Sequence, residues 1–496
     1  MAATTPKLAD ADAPRTSLPI YSANVDAPTA TGGALPAPPH NHSCGSHGPN
    51  IDYELVLDCV HCGLCTASCP TYVETSNEAD SPRGRIYLMR QVIDGTLALD
   101  NDVKQHLDLC LNCRACETAC PSGVQYGKLI EPFRVYMNEQ EPGRQTASLN
   151  ALQRFLLFNV FPYRWANRIA LAPARLMQWT GLDWLTEKSG LMNLVPRSLR
   201  NMKNMLPELK PHYGSLPEIL EPIGPRRARV ALFLGCVADS LYPETNYATA
   251  KVLQANGCEV WIPRSQACCG ALHYHAADEV TAREFAATNC DAFGATDAER
   301  FQNVDAIITN AAGCGFQLKD YAHMMHGTPQ AEVAARFQSK VRDISEFLME
   351  LGPVKPKYAL NVRATYHDAC HLRHAQQIFK QPRQLLEMIP GLELIPLPES
   401  ELCCGAAGSY NLTQPEMAER LGDRKVENIA STAARAVFTG NVGCLMQITR
   451  HLKAAGQNVW AAHPVDALWA SYSGEMPPQL KDPSGAGTDS KTGQNH

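Results

Sequence analysis

No run of roughly eighteen or more uninterrupted apolar residues occurs in the 496-residue chain, so the sequence predicts no membrane-spanning helix. Residues 1–50 lack an apolar segment behind a basic start, which excludes a secretory signal peptide there. Basic residues are not in excess. Lys and Arg number 44 against 50 Asp and Glu, and the net charge of −6 with a pI near 6.2 leaves no general basic footprint for nucleic acid. No Gly-rich dinucleotide fingerprint follows a strand-like run, and no Ser/His/Asp arrangement marks a nucleophile. The chain therefore shows no dinucleotide site of its own for taking up a hydride.

Cysteine is what the chain has in quantity, with 19 residues. Eight of them form two nearly identical runs. Cys59, Cys62, Cys65 and Cys69 precede Pro70, and Cys110, Cys113, Cys116 and Cys120 precede Pro121. Both runs read C-x2-C-x2-C-x3-C-P, in which three thiolates wrap one iron–sulfur cube and the fourth serves its neighbour. Two [4Fe–4S] clusters are therefore expected. One would rest on Cys59, Cys62, Cys65 and Cys120, the other on Cys110, Cys113, Cys116 and Cys69. The trailing proline, with no N–H and a fixed φ, is expected to stop a helix from running through the ligands. A disulfide framework is the alternative, but such frameworks belong mainly to short secreted chains. Free thiolates and clusters suit a reducing cytoplasm.

Between the runs, Ser81-Pro82-Arg83-Gly84-Arg85 opens a helical pattern with Ile86, Leu88, Met89, Val92 and Ile93 as its apolar positions. Ser81 is the expected N-cap and Pro82 suits the first turn. Arg83 and Arg85 would either lie near a cluster, raising its potential, or form a solvated face. A second helix, from about Asn101 to Leu109, would deliver Cys110.

The C-terminal half is a duplication of another kind. Cys236, Cys268-Cys269-Gly270 and Cys314 are matched by Cys370, Cys403-Cys404-Gly405 and Cys444, at offsets of 134, 135 and 130 residues. Short apolar runs precede each cysteine: 230–234, 259–262 and 306–309 in the first unit, 364–367, 394–397 and 436–439 in the second. Such runs read as buried parallel strands, which places every cysteine just past a strand end, where ligands gather in open α/β sheets. A glycine after vicinal cysteines permits a tight turn. Two sulfur-ligated metal sites are expected, on Cys236, Cys268, Cys269 and Cys314 and on Cys370, Cys403, Cys404 and Cys444. The alternative is that these are buried free cysteines acting as small hydrophobes. His367, His371 and His374 around Cys370, and His273 and His275 after the first pair, are candidates for ligands or proton carriers, and equally for cap, surface or core roles. Cys258 and Cys290 fall outside both patterns and are expected in the core.

The sequence thus reads as α+β. A disordered leader at 1–50, holding His42, Cys44 and His47, precedes a helical two-cluster ferredoxin-like domain at 51–140. A helical linker follows at 141–225, then two repeated α/β cysteine-rich units at 226–355 and 356–473, then a disordered tail at 474–496. The linker intersperses Phe155, Leu156, Leu157, Phe158, Val160, Phe161, Trp165 and Trp179 with Arg154, Arg164, Arg168 and Arg175. A basic, aromatic stretch of this kind can lie on a membrane surface or pack between domains or against a partner.

These motifs resemble the iron–sulfur subunits of bacterial glycolate oxidase, a glycolate dehydrogenase. The likeness runs from about Asp52 to about Ser471. It rests on the double cysteine run, Ser81-Pro82-Arg83-Gly84-Arg85, Gly235-Cys236-Val237, Ala311-Ala312-Gly313-Cys314-Gly315 and Leu402–Tyr410 with Thr413-Gln414-Pro415. The wider family of tandem CCG proteins includes subunits of lactate utilisation, anaerobic glycerol-3-phosphate dehydrogenase and heterodisulfide reductase. The resemblance implies an electron-transfer subunit without acid–base catalytic residues. It implies a partner flavoprotein carrying FAD that takes the hydride from glycolate, a quinone or other acceptor, and a cytoplasmic location with peripheral contact to the inner membrane. Lactate or glycerol 3-phosphate is the alternative donor, and a zinc-bound scaffold docking the flavoprotein the alternative role. One departure matters. Heterodisulfide reductase subunits close the pattern with C-x2-C, whereas Gln317 and Gln447 stand three residues after the closing cysteines here. That leaves a four-cysteine cube or zinc at each site.

Overall fold

Buried apolar runs form the strands, and each is followed by a turn carrying cysteine. The computed structural model describes residues 51–182, 189, 203, 206–209 and 216–481. The leader with His42, Cys44 and His47, and all of the tail after 481, lie outside the described residues. In the first unit β1 (Ile219–Leu220), β2 (Ala228–Leu232), β3 (Cys258–Trp261), β4 (Ala306–Thr309) and β5 (Val341–Asp343) make one sheet in the order β1-β3-β2-β4-β5. β1 is antiparallel to β3, and the other neighbours are parallel, with Val230 opposite both Val260 and Ala306. In the second unit β6 (Val362–Tyr366), β7 (Leu392–Ile395), β8 (Ala436–Phe438) and β9 (Trp460–Ala462) form an all-parallel sheet in the order β7-β6-β8-β9.

β3-β2-β4-β5 and β7-β6-β8-β9 are the same doubly wound order. It carries a switch point between the first and third strands, beyond whose carboxyl ends ligands bind. Cys236 and Cys314 follow β2 and β4 at that point, and Cys370 and Cys444 follow β6 and β8.

The two units share one core. Val230, Leu232, Val252 and Leu253 of the first join Tyr366, Leu385, Phe438 and Leu468 of the second in a single buried cluster. A helix after β2 in one unit, and after β6 in the other, meets the last helix of the opposite unit across it: Pro243–Ala255 packs on Pro464–Ser473, and Gln381–Glu387 on Ile344–Leu351. This reciprocal pairing is the pattern of a two-fold interface, built here within one chain. It brings the closing-cysteine loops together. Ala312 N–H donates to Gly440 O at 3.0 Å, and Gly313 N–H to Asn441 Oδ1 at 3.3 Å.

The N-terminal part is helical, with Val56, Ile86, Met89, Leu107, Ile130, Phe133 and Met137 as its core. Helix Pro82–Ile93 starts as the sequence suggests: the Ser81 hydroxyl accepts from Gly84 N–H at 3.0 Å. The prolines act differently at the two runs. Pro70 opens a helix, Pro70–Thr75, while in the second run a helical turn, Ala115–Thr118, carries Cys116 itself. The proline thus sets where the fourth ligand leaves the loop without keeping all ligands out of helix.

In the linker, helix Ala151–Phe155 and a π-turn at Leu156–Val160 lead to helix Arg164–Thr180. Arg164 is bound to Asp239 at 2.8 Å, and Arg175 donates to Ser240 O at 3.1 Å, so both turn into the first cysteine-rich unit. Trp165, Ile169, Leu176 and Trp179 recur at helical spacing on another face, about a quarter turn away, and are exposed. Among the described residues, no helix is long and apolar enough to cross a membrane.

Candidate metal centres

The two cysteine runs adopt the same backbone form. His61 and Gly63 have φ of 54° and 83°, and the matching Asn112 and Arg114 have φ of 52° and 60°. Left-handed residues placed this way bend the loop so that successive N–H groups line a concavity, the nest that holds anions and iron–sulfur clusters. At Gly63 the conformation is free of strain and the space is closed, since a Cβ there would sit 2.4 Å from the Arg83 guanidinium. Arg114 holds the same conformation against its Cβ cost because its side chain is fixed. It donates to Glu131 Oε1 at 2.9 Å, and its guanidinium lies 4.6 Å from the centre of the Phe316 ring.

Two adjoining pockets result. Cys59, Cys62, Cys65 and Cys120 line one, and Cys69, Cys110 and Cys113 line the other, with Cys116 and Tyr126 on the wall between them. The structure therefore gathers the first three cysteines of each run with the fourth of the other. None of the 18 described cysteines is in a disulfide.

The charges beside the pockets are uneven. Arg83 lines the first, donates to His61 O at 3.0 Å and is paired with Glu78. Arg85 lines the second and is 1% exposed. It donates to His106 O at 2.7 Å and Thr71 Oγ1 at 3.0 Å, and its Nη1 stands 3.9 Å from Cys69 Sγ. Burial pushes the Cys110 thiol up, but the Arg85 and Arg134 guanidiniums outweigh it and its pKa falls below the ordinary value. Cys113 and Cys116 are raised well above theirs by burial, and the neighbouring Cys370 and Cys113 thiols add to it. Buried thiols crowded this way are stable as thiolates only when a metal takes their charge. The donor set, the nests and the buried arginines fit clusters that carry net negative charge.

The cysteine-rich units gather their thiols likewise. Cys236 Sγ lies 3.4 Å from Cys268 Sγ, and Cys269 interacts with Cys268 and Cys314. In the second unit Cys403 contacts Cys370 and Cys404, and Cys404 contacts Cys444 and His367. All eight cysteines are buried apart from Cys314, which is half-buried. Gly270 (φ 87°) and Gly405 (φ 85°) end the vicinal pairs in the left-handed region, close against Ala282 and Ala418.

Polar clamps fix the loops. In the first unit Gln266 accepts from Leu234 N–H at 2.8 Å and donates to Leu232 O. In the second, buried Asp368 holds Arg383 at 2.7 Å through both oxygens and accepts from Ser400 at 2.8 Å, tying the Cys370 loop to the turn that precedes Cys403. Lys425, 1% exposed, donates to Glu399 O and lies near the Cys403 and Cys404 thiols, which oppose the fall that burial imposes on its pKa.

The histidines divide. His371 reaches Asn112 O at 3.2 Å and stacks on Phe316 and His275, and His374 bonds Thr118 at 2.9 Å and Glu401 O at 3.3 Å, so both knit units together. His273 packs edge-on to Phe158 and Phe285. His367 comes within ligand reach of site thiols, those of Cys404 and Cys444, and His273 lies near enough to Cys268 to favour its thiolate. Cys258 is buried in the core shared by the two units, and Cys290 in the core of the first unit that also holds Cys236, Cys268 and Cys269. Gln317 and Gln447, at the positions of the absent fifth thiolate, turn their amide nitrogens to protein partners. The Gln317 amide donates to Met324 Sδ, and that of Gln447 to Ala418 O. The buried partners Glu131, Asp368 and Lys425 carry no signal in the sequence, because each pairs with a residue distant along the chain.

The second cysteine-rich site abuts the second N-terminal pocket. Leu111, Cys113 and Ala115 pack with Cys370, Cys403, Tyr410 and Met417 in one buried cluster, and Tyr410 donates to Leu109 O at 2.8 Å.

Known proteins divide in the same way. The 4Fe-4S dicluster domain matches residues 55–124, the cysteine-rich CCG domain matches 230–319 and 364–449, and the linker region of the glycolate oxidase iron–sulfur subunit matches 148–206. The chain is 40% identical over 426 residues to the probable glycolate oxidase iron–sulfur subunit of Bacillus subtilis, covering 84% of this chain and 94% of that one. It is 33% identical over 416 residues to the glycolate oxidase iron–sulfur subunit of Escherichia coli, covering 81% and 91%. Lactate utilization protein A of Geobacillus kaustophilus is 31% identical over 242 residues, which is 98% of that protein but 48% of this chain. The likeness extends through the helical part, the linker and both cysteine-rich units, and by it this chain belongs to the family of glycolate oxidase iron–sulfur subunits.

Proposed function

We propose that this chain is the electron-carrying subunit of a glycolate-oxidising complex, taking electrons from a flavin-bearing partner and delivering them to a quinone or other acceptor. Cys59, Cys62, Cys65 and Cys120 would hold one [4Fe–4S] cluster, and Cys69, Cys110, Cys113 and Cys116 the other. The cysteine-rich sites would hold further iron–sulfur clusters on Cys236, Cys268, Cys269 and Cys314 and on Cys370, Cys403, Cys404 and Cys444. A bound cluster of this kind takes up and releases one electron at a time, whereas glycolate gives up two as a hydride, which requires a flavin or nicotinamide on another subunit.

The observation that carries this reading is the junction at Cys113 and Cys370. A zinc scaffold has no need to abut its thiols on those of a redox cluster; a relay does. The chain's own residues set the conditions. Arg85 and Arg134 compensate thiolate charge, Tyr126 separates the two N-terminal pockets, and Leu111, Tyr410 and Met417 exclude water from the junction.

The exposed stripe of Trp165, Ile169, Leu176 and Trp179 supports docking of the flavoprotein on the linker helix. Arg164 and Arg175 turn inward, away from that stripe, which removes much of the basic flank an anionic membrane surface would require. Removing the iron from the purified complex is expected to abolish acceptor reduction while glycolate still bleaches the flavin. Surviving acceptor reduction would refute the relay. An iron content of about eight per chain with stoichiometric zinc would instead establish the scaffold reading for the cysteine-rich half.

A further inference from the structure

The duplicated cysteine-rich sites are not equivalent. His367 directly follows β6, as Phe233 directly follows β2, and each stands three residues before the first cysteine of its unit. Phe233 is buried against Phe293 in the apolar core of the first unit. His367 is 0% exposed, and neither of its ring nitrogens has a hydrogen-bond partner. Among the described residues it is the one buried histidine with both nitrogens in that condition. His463, the most similar case, uses Nδ1 to cap Val465 N–H. The Cys404 thiol lies against the ring without an aligned hydrogen bond to it. A buried imidazole met in this way is costly, so the fold is expected to supply a partner for it that amino acids alone do not provide. A His367 ring nitrogen, Cys404 Sγ and Cys444 Sγ all lie within 4.8 Å of one another. Cys403, next to Cys404, contacts Cys370, so five donors converge where the first unit offers four.

We propose that the second cysteine-rich site is a mixed nitrogen–sulfur centre with the His367 imidazole as a ligand, and that the first is ligated by sulfur alone. This rests on the reading that both sites bind iron–sulfur clusters. The chemistry has a direction. A cube takes one ligand on each of its four irons, so among the five donors the imidazole takes the place of one thiolate; that leaves one negative charge fewer on the centre and raises its reduction potential, as histidine does in two-iron centres. The raised site is the one that abuts the Cys113 pocket. It would therefore draw electrons out of the N-terminal pair.

The test uses the full-length protein, purified without oxygen and reconstituted with iron and sulfide. One preparation carries natural histidine and another 15N-histidine. Pulsed EPR of the partly reduced protein should show 14N modulation on one cluster signal, replaced by 15N coupling in the labelled sample. His367→Cys should abolish that coupling and lower the midpoint of the same signal. The wild-type comparison needs no variant to fold. Iron in excess of two cubes with no histidine coupling on any signal overturns the His367 assignment and leaves the relay standing. Coupling that persists in His367→Cys overturns it too, since another histidine would be the ligand. Iron for two cubes only, with zinc at the remaining thiols, overturns both.

Discussion

Replacing Arg85 by Met is expected to lower the reduction potential of one cluster and spare the other. The guanidinium is wholly buried, with Nη1 3.9 Å from Cys69 Sγ. Two unit charges at that separation interact by about 4 kcal/mol at an effective dielectric of about 20. An added electron spreads over the irons and sulfurs of the cube, so a quarter to a half of this, about 1–2 kcal/mol, bears on reduction. At about 59 mV per 1.4 kcal/mol for a one-electron couple, the midpoint should fall by about 40–90 mV. The sign follows from charge: the reduced cube is more negative and loses more when the cation goes. Arg85→Lys keeps the charge and should recover most of the shift, which separates electrostatics from packing. The variant leaves Asp80 with His106, bound at 2.8 Å, so that carboxylate is not stranded. An EPR-monitored redox titration reads both clusters at once. A shift under about 15 mV in the Met variant, or an equal shift in Arg85→Lys, would refute the assignment of Arg85 as the charge that tunes the Cys69, Cys110, Cys113 and Cys116 centre.

Two further outcomes are expected. A Cβ at Gly405 would lie 2.8 Å from Ala418 O, and one at Gly270 3.1 Å from Ala282 O, both at φ near +85°. Each substitution to Ala should cost about 1–2 kcal/mol for the backbone alone, with Gly405→Ala losing more thermal stability because its clash is with backbone at closer range; equal melting temperatures would contradict this. Burial, with the Glu131 carboxylate nearby, pushes Asp320 up to about 7. The folded state then keeps a proton the unfolded state has lost, so stability falls as pH rises from the ordinary carboxylate value toward 7 and stays lowered above it. Asp320→Asn should therefore gain about 1–2 kcal/mol at pH 8, after discount for partial exposure, and almost nothing at pH 4. Denaturant titrations at the two pH values check it, and an equal gain at both would rule it out.

What the sequence disclosed follows from how local each signal is. The cysteine spacings, the Ser81 cap and the strand-end position of each cysteine in the duplicated half are set by a few adjacent residues, and the structure shows them there. β4 and β8 begin where the apolar runs do, while β2, β3, β6 and β7 begin a residue or two before them, as Ala228 and Val362 already pair with their neighbours. β5 and β9 escaped notice since three residues carry no period and no cysteine follows them, as Cys444 follows the equally short β8. β1, at 219–220, falls in the stretch read as linker for the same reason. Arg83 and Arg85 stand two apart on one helix and so face different ways: the first is half-exposed against Glu78, the second enclosed beside Cys69. Sequence offers no means of choosing between those fates, because the choice depends on which helix lies opposite. The Arg114–Glu131 pair and the Asp368–Arg383 clamp are hidden for the same reason.

The duplication itself explains why two similar sites need not do the same work. The pseudo-two-fold interface makes the cysteine-rich halves alike from within, but the N-terminal chain covers them differently. The linker packs on the first, through Arg164 to Asp239, Arg175 to Ser240 and Phe158 against His273. The two-cluster part touches the first at Phe316 through Arg114 but covers the second site itself, through Tyr410 to Leu109, Thr118 to His374 and the shared burial of Cys113 with Cys370. Between them, Asn441 donates to Cys444 Sγ at 3.5 Å and accepts from Gly313 N–H beside Cys314, so a change at either closing loop is felt at the other. Two copies with identical immediate neighbours would be expected to keep identical donors. These copies have different neighbours, and Phe233 and His367 mark the divergence: the copy that meets the ferredoxin-like part is the one with a buried, charge-neutral donor beside its thiols.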